Sequence, residues 1–202
     1  MAILATAAAL HAGNARAAEP VKLYPFEKAT LSYAVSGAQT GTQTIYIKDY
    51  GRQTVQHYQA SVPGNEGEQS IDVLTFTDPQ WVYTYDNGTS EASRSPNPQA
   101  GMAPEAKNSQ ELFEKITTSL GGQKSGTDTF DGTPCTVWRM AEPAGTTLCV
   151  DDQQVMRYMR MNNEMMQGNV ELESARIGVV DDSKFQRPQA DYRDVDMGPQ
   201  RD

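Results

Sequence analysis

Positive charge is scarce in this chain of 202 residues: 17 Lys and Arg stand against 26 Asp and Glu, a net charge of −9, and no basic run offsets the deficit locally. A protein that neutralises phosphates needs a basic stripe, so nucleic acid is disfavoured as a partner. Electrostatic attachment to anionic lipid headgroups fails on the same ground. Histidine is equally scarce, with only His11 and His57, and there are only two cysteines. A histidine-rich or four-cysteine zinc site is therefore excluded by count. A Ser-His-Asp arrangement would have to draw on these two imidazoles. Leu, Ile, Val and Phe together number 33 residues, so any core is thin and needs help. That help is visible in nine Tyr, nine Met and two Trp. No apolar run approaches the roughly twenty residues a membrane-spanning helix requires.

The N-terminus carries a short apolar run, Ile3 to Leu10, followed by Ala15-Arg16-Ala17. This small-x-small pattern suits signal peptidase, and it predicts a signal peptide over residues 1–17 with cleavage after Ala17. One feature departs from the pattern: no Lys or Arg precedes the apolar run. No Cys lies near the cut, so a soluble periplasmic protein is expected rather than an acyl-anchored one. A single domain is expected over 18–197, with a disordered tail at 198–202. Cys135 and Cys149, an even pair in an exported chain, read as a disulfide. Between them Glu142-Pro143-Ala144-Gly145 signals a turn, which sets the two cysteines facing each other across a hairpin. Closing a loop of about 15 residues in this way stabilises by roughly 3 kcal/mol.

From Lys28 to Tyr85, apolar and aromatic residues alternate with polar ones, the mark of strands with one covered face and one wet face. Leu31, Tyr33 and Val35 share a face, as do Ile45 and Ile47; Tyr50-Gly51 and Asp86-Asn87-Gly88 are turn signals. Ser93 to Ala106 lacks periodicity and reads as a long loop. Ser109 to Leu120 is the one good helix candidate: Ser109 is placed to cap it, Leu112, Phe113, Ile116 and Leu120 form one stripe, and Gly121-Gly122 ends it. Further strands are expected near 126–130, 135–140, 146–150, 155–161 and 170–177. Beyond Asp181 the chain is rich in Pro, Gln, Arg and Asp, with Phe185, Tyr192 and Val195 as anchors.

Gly132-Thr133-Pro134-Cys135, the hairpin to Cys149-Val150-Asp151, the strand Val155-Met156-Arg157, and a terminal Phe185-x-x-Pro188 with Tyr192 and Val195-Asp196-Met197 together resemble a family of exported bacterial proteins. That family is similar to the periplasmic carriers of the lipoprotein-localisation pathway (LolA-like). The resemblance implies a mainly β fold, a curved antiparallel sheet forming an unclosed half-barrel whose concave apolar face is covered by helices and can hold acyl chains. The departures are Arg187, one extra residue before Tyr192, and a single convincing helix.

The chemistry-bearing residues are few. Asp151-Asp152, Asp181-Asp182 and Asp194-x-Asp196 lack the twelve-residue loop of a calcium site and read as solvated loop charge. Met156, Met159, Met161, Met165 and Met166 form an unusual cluster. Thioethers select Cu(I), yet they also adapt to irregular apolar partners. Alternation puts Met159 and Met161 on one face and Met156 on the other, so convergence on one ion would need a bulge. The expectation is a non-enzymatic protein without cofactor that binds a lipid or acyl chain on the concave face, through Tyr33, Val35, Ile45, Ile47, Trp81, Tyr83, Val137, Met159 and Met161. Each of these residues is also a sound core residue. The alternatives are an envelope protein-interaction or sensing module and, third, a methionine-cluster copper binder.

Overall fold

The alternating segments build strands that pair into one sheet, antiparallel except where the two-residue edge strand Arg193–Asp194 runs parallel to its neighbour. The computed structural model describes residues 22–64, 67–97, 106–162 and 167–195. The expected signal peptide, most of the 93–106 loop, Met165, Met166 and the C-terminal tail lie outside them. The strands are β1 (Ala29–Gly37), β2 (Thr40–Lys48), β3 (Gln53–Gly64), β4 (Gly67–Thr77), β5 (Trp81–Asp86) and β6 (Ala92–Pro96). After helix α1 (Ser109–Ser119) come β7 (Gln123–Phe130), β8 (Thr133–Arg139), β9 (Thr146–Val150), β10 (Met156–Asn162), β11 (Gln167–Ile177) and the two-residue β12 (Arg193–Asp194). The sheet order is β12-β6-β5-β4-β3-β2-β1-β11-β10-β9-β8-β7. Two meanders, β1 to β6 and β7 to β11, are thus joined by the β1/β11 ladder at the centre. The result is an unclosed, curved half-barrel with, among the described residues, one α-helix: the half-barrel is as expected, and the single helix is the departure already read from the sequence.

The bend has a local cause. Register shifts leave one extra residue on three strands, Ser125 on β7, Arg157 on β10 and Glu173 on β11. Each such bulge bends its strand and increases the local twist. Because β6 and β7 occupy opposite sides of the sheet, the connection between them crosses the concave face, and α1 lies in that crossing. Asn108 rather than Ser109 caps the helix, its Oδ1 accepting from the Glu111 N–H at 2.9 Å. Gly121, at φ 79°, lets the chain leave the helix end. Phe113 meets Trp138 edge to face at 5.8 Å, and Lys124 pairs with Glu114 at 2.6 Å, which fixes α1 over the β7 to β9 half.

Three expectations change. The start of the predicted loop, Ser93 to Pro96, belongs to strand β6, because it pairs with β5 on one side and β12 on the other. The outer face is not uniformly wet: Val55, Phe76 and Tyr83 are buried there under Phe185 and Tyr192 of the C-terminal segment. Arg187 stacks 3.8 Å over the Tyr83 ring, so the departure from the family pattern has a role in this strap. Cys135 and Cys149 are bonded with Cα atoms 5.5 Å apart. The ladder sets Val137, not Cys135, opposite Cys149. The hairpin's centre therefore falls one residue later than expected, and the cysteines bridge diagonally.

Candidate functional site

Between α1 and the inner face of the sheet lies a cavity of about 560 Å³, within the range of small-molecule sites. Its sheet side comes from same-face residues of successive strands. Leu31 and Tyr33 stand on β1, Ile45 on β2, and Thr54, Thr77 and Val82 continue the row across β3 to β5. Leu148, Val150 and Met156 close it from the second meander. Leu23 and Tyr24, ahead of β1, form part of the rim. The roof is the helix stripe. Leu112 is 1% exposed, whereas Leu120, at the helix end, is 62% exposed and also lines the cavity. The stripe is therefore only partly buried by the protein itself.

Among the described residues that line the cavity, none is Asp, Glu, Lys, Arg or His. Burial pushes the Tyr33 hydroxyl well above its ordinary range, and Tyr24 and Asp151 push in the same direction, so the cavity floor stays neutral at physiological pH. Gln154 joins helix and sheet: its amide donates to Ser109 Oγ at 2.9 Å. Its Oε1 is buried without a partner among the described residues, in the cavity wall.

Met156 reaches this cavity through the β10 bulge. Alternation alone sends Met156 to the face opposite Met159; the extra residue Arg157 returns it to the inner face. Asp151 is bound up with this bulge. Its side chain is 1% exposed, Oδ1 accepts from the Gln153 and Val155 N–H groups at 2.9 Å each, and Oδ2 accepts from Arg157 Nε at 2.8 Å. Arg157 Nη2 donates to the same oxygen. Asp151 is thus a buried structural anion, contrary to the solvated charge expected of it. The other acidic pairs also have partners: Asp182 binds Lys48 at 2.7 Å, Asp194 binds Arg94 at 2.5 Å, and Asp181 accepts from the Ser183 N–H.

The nine residues singled out from sequence divide into four groups. Tyr33 and Ile45 line the large cavity. Val35, Met159 and Met161 line a second, smaller one further along the same face. Ile47 is fully buried in the inner core. Trp81, Tyr83 and Val137 are on the outer face: the first two lie under the C-terminal strap, and Val137 packs by the disulfide. Their placement with the inner-face group is therefore corrected. Alternation identifies which residues share a face of a strand, and β5 is apolar at both parities, with Val82 facing the cavity. The sequence reading missed Leu148, Val150 and Val82. The signal available for them was strand pairing, Leu148 with Met159, Val150 with Met156 and Val82 with Thr77, which requires the register.

No family model matches the sequence, and no curated protein does. Among solved structures, an uncharacterized conserved protein from Thermus thermophilus superposes with a TM-score of 0.56 at 10% identity, covering 87% of this chain and 93% of that one. This likeness is one of fold. MucB in the Pseudomonas aeruginosa MucA/MucB complex gives a TM-score of 0.37 at 13% identity over 81% of this chain and 57% of that one. PNGF-II gives 0.47 at 11% identity over 85% and 31%. Among the described residues no helix is long and apolar enough to cross a membrane.

Proposed function

We propose that this is a non-enzymatic periplasmic protein that shelters an apolar chain, a lipid or acyl group, between α1 and the inner face of the half-barrel. The observation that carries the reading is the cavity of about 560 Å³, with no charged residue among the described residues that line it, roofed by a helix whose stripe is only partly covered. Filling it with hydrocarbon removes the Leu120 and Ile116 side of the helix from water, at about 25 cal/mol per Å² of apolar surface buried. The Cys135–Cys149 bond fits an oxidising compartment.

The test is to purify the protein without detergent, extract it with organic solvent and analyse the extract by mass spectrometry. A fluorescent fatty-chain probe is then titrated into the delipidated protein. The expected result is one chain-bearing lipid per protein and saturable probe binding. The variant Leu148→Trp, which fills the cavity from its floor, is expected to abolish probe binding while the protein stays folded by circular dichroism. Probe binding that is absent from the native protein, or unaffected by Leu148→Trp, counts against the reading.

A further inference from the structure

The inner face does not end at the helix-covered cavity. A second cavity of about 240 Å³ adjoins it, beyond the reach of α1. On four strands the two share consecutive same-face positions. Tyr33 gives way to Val35 on β1, Ile45 to Gln43 on β2, Thr54 to Gln56 on β3, and Met156 to Met159 on β10. One same-face step along a strand is about 7 Å, so the cavities are end to end along one trough.

Their chemistry differs. The second cavity keeps an apolar floor of Val35, Met159 and Met161, but two carboxamides, Gln43 and Gln56, face it from the same side of the sheet, and a third, Gln39, lines it from the β1–β2 turn. Gln39 accepts from the Tyr58 hydroxyl. Among the described residues no hydrogen bond occupies the side chains of Gln43 or Gln56. A carboxamide presents both a donor and an acceptor. Among the described residues no Asp, Glu, Lys, Arg or His lines this cavity either, although a fifth of the chain is charged. The charged neighbours on these strands, Arg160 and Glu171, point to the opposite face by alternation, as do Asn169, the ladder partner of Arg160, and Gln167. A charged head placed here would lose hydration and meet no counter-charge, which is costly. A neutral head with several hydroxyl or amide groups would find both kinds of hydrogen-bonding partner.

We infer that the ligand is an amphiphile with an uncharged, hydroxyl-rich head: the tail lies under α1, and a sugar-sized head sits against Gln43 and Gln56 beside Gln39. This rests on the chain-sheltering reading and adds the head group to it. The probes are dodecyl glucoside, dodecyl sulfate, dodecyltrimethylammonium and dodecanol, titrated calorimetrically into the delipidated full chain below their micelle concentrations, with free glucose as a head-only control. The glucoside is expected to bind at least about tenfold tighter than either charged amphiphile, and free glucose to show no binding. In the double variant Gln43→Leu and Gln56→Leu the glucoside is expected to lose that advantage while dodecanol affinity is kept, which also reports that the variant is folded. Equal affinity for all heads, or preference for a charged one, overturns the inference and leaves chain binding standing. Failure of every dodecyl compound, dodecanol included, overturns both.

Discussion

The buried pair Asp151–Arg157 allows a test in which one substitution is expected to repair another. The two partners are not equivalent, because the Asp151 side chain is 1% exposed and that of Arg157 20%. Arg157→Met leaves a carboxylate with no route to water and only the Gln153 and Val155 N–H groups as donors. Breaking a buried pair from one side costs about 3–5 kcal/mol. With an m value of about 2–3 kcal/mol/M, the urea midpoint should fall by roughly 1–2 M. Asp151→Asn keeps an oxygen for those two N–H groups and leaves a guanidinium that can turn toward solvent. Its cost is the loss of charge-assisted hydrogen bonds, about 1.5–3 kcal/mol. The double variant removes both charges and is expected to be more stable than Arg157→Met alone. The assay is urea unfolding followed by tryptophan fluorescence and circular dichroism. A midpoint for Arg157→Met within about 0.3 M of the native value, or a double variant less stable than Arg157→Met, would refute the reasoning.

Three further outcomes are expected. Replacing Cys135 and Cys149 by Ser reopens a loop with a sequence separation of 14. It should cost about 3 kcal/mol, a fall in melting temperature of roughly 6–12 °C by calorimetry. Several carboxyls are held below their ordinary range: Asp194 by its hydrogen bond from Arg94, Asp182 by Lys48, and Asp72 because hydrogen bonds from Asn87, His57 and Gln59 outweigh the raising effect of burial. The folded state thus releases these protons at lower pH than the unfolded chain, whose carboxyls titrate near about 4. Their stabilisation is complete above that value and is lost as pH falls through the folded values. The urea midpoint should drop between about pH 5 and 3, less steeply in Asp72→Asn. Finally, a Cβ at Gly41 would lie 2.0 Å from the Gln59 carbonyl oxygen and 2.6 Å from the Ala60 Cα. Gly41→Ala must therefore push β2 from β3, at about 3 kcal/mol read from the same urea titration.

Much of this architecture was legible because its signals are local. The two-residue period of Leu31, Tyr33 and Val35, the stripe from Leu112 to Leu120, the Gly121-Gly122 stop and the turn between the cysteines each depend on near neighbours alone. Features set by pairing at a distance were not. Trp81 and Tyr83 alternate correctly but belong to the outer face. What decides this is the register through β4, together with the strap carrying Phe185 and Tyr192. Met156 was misassigned because a bulge at Arg157 leaves no trace in an alternation pattern, yet it is what brings Met156, Met159 and Met161 onto one face. Asp151 resembled any loop aspartate until Arg157, six residues later, turned back onto it.

The β1/β11 ladder has a consequence for assembly order. Each meander is made of hairpins with short connections and can zip up locally, whereas Ala29 meets Ile177 only after nearly the whole chain is present. Such a distant closure is the slow event in folding, since its entropy must be lost before its contacts form. The trough takes its walls from both meanders, so it comes into being at that final docking. A ligand of the proposed kind would meet only a finished molecule and would slow the parting of the two halves, acting as a brake on unfolding.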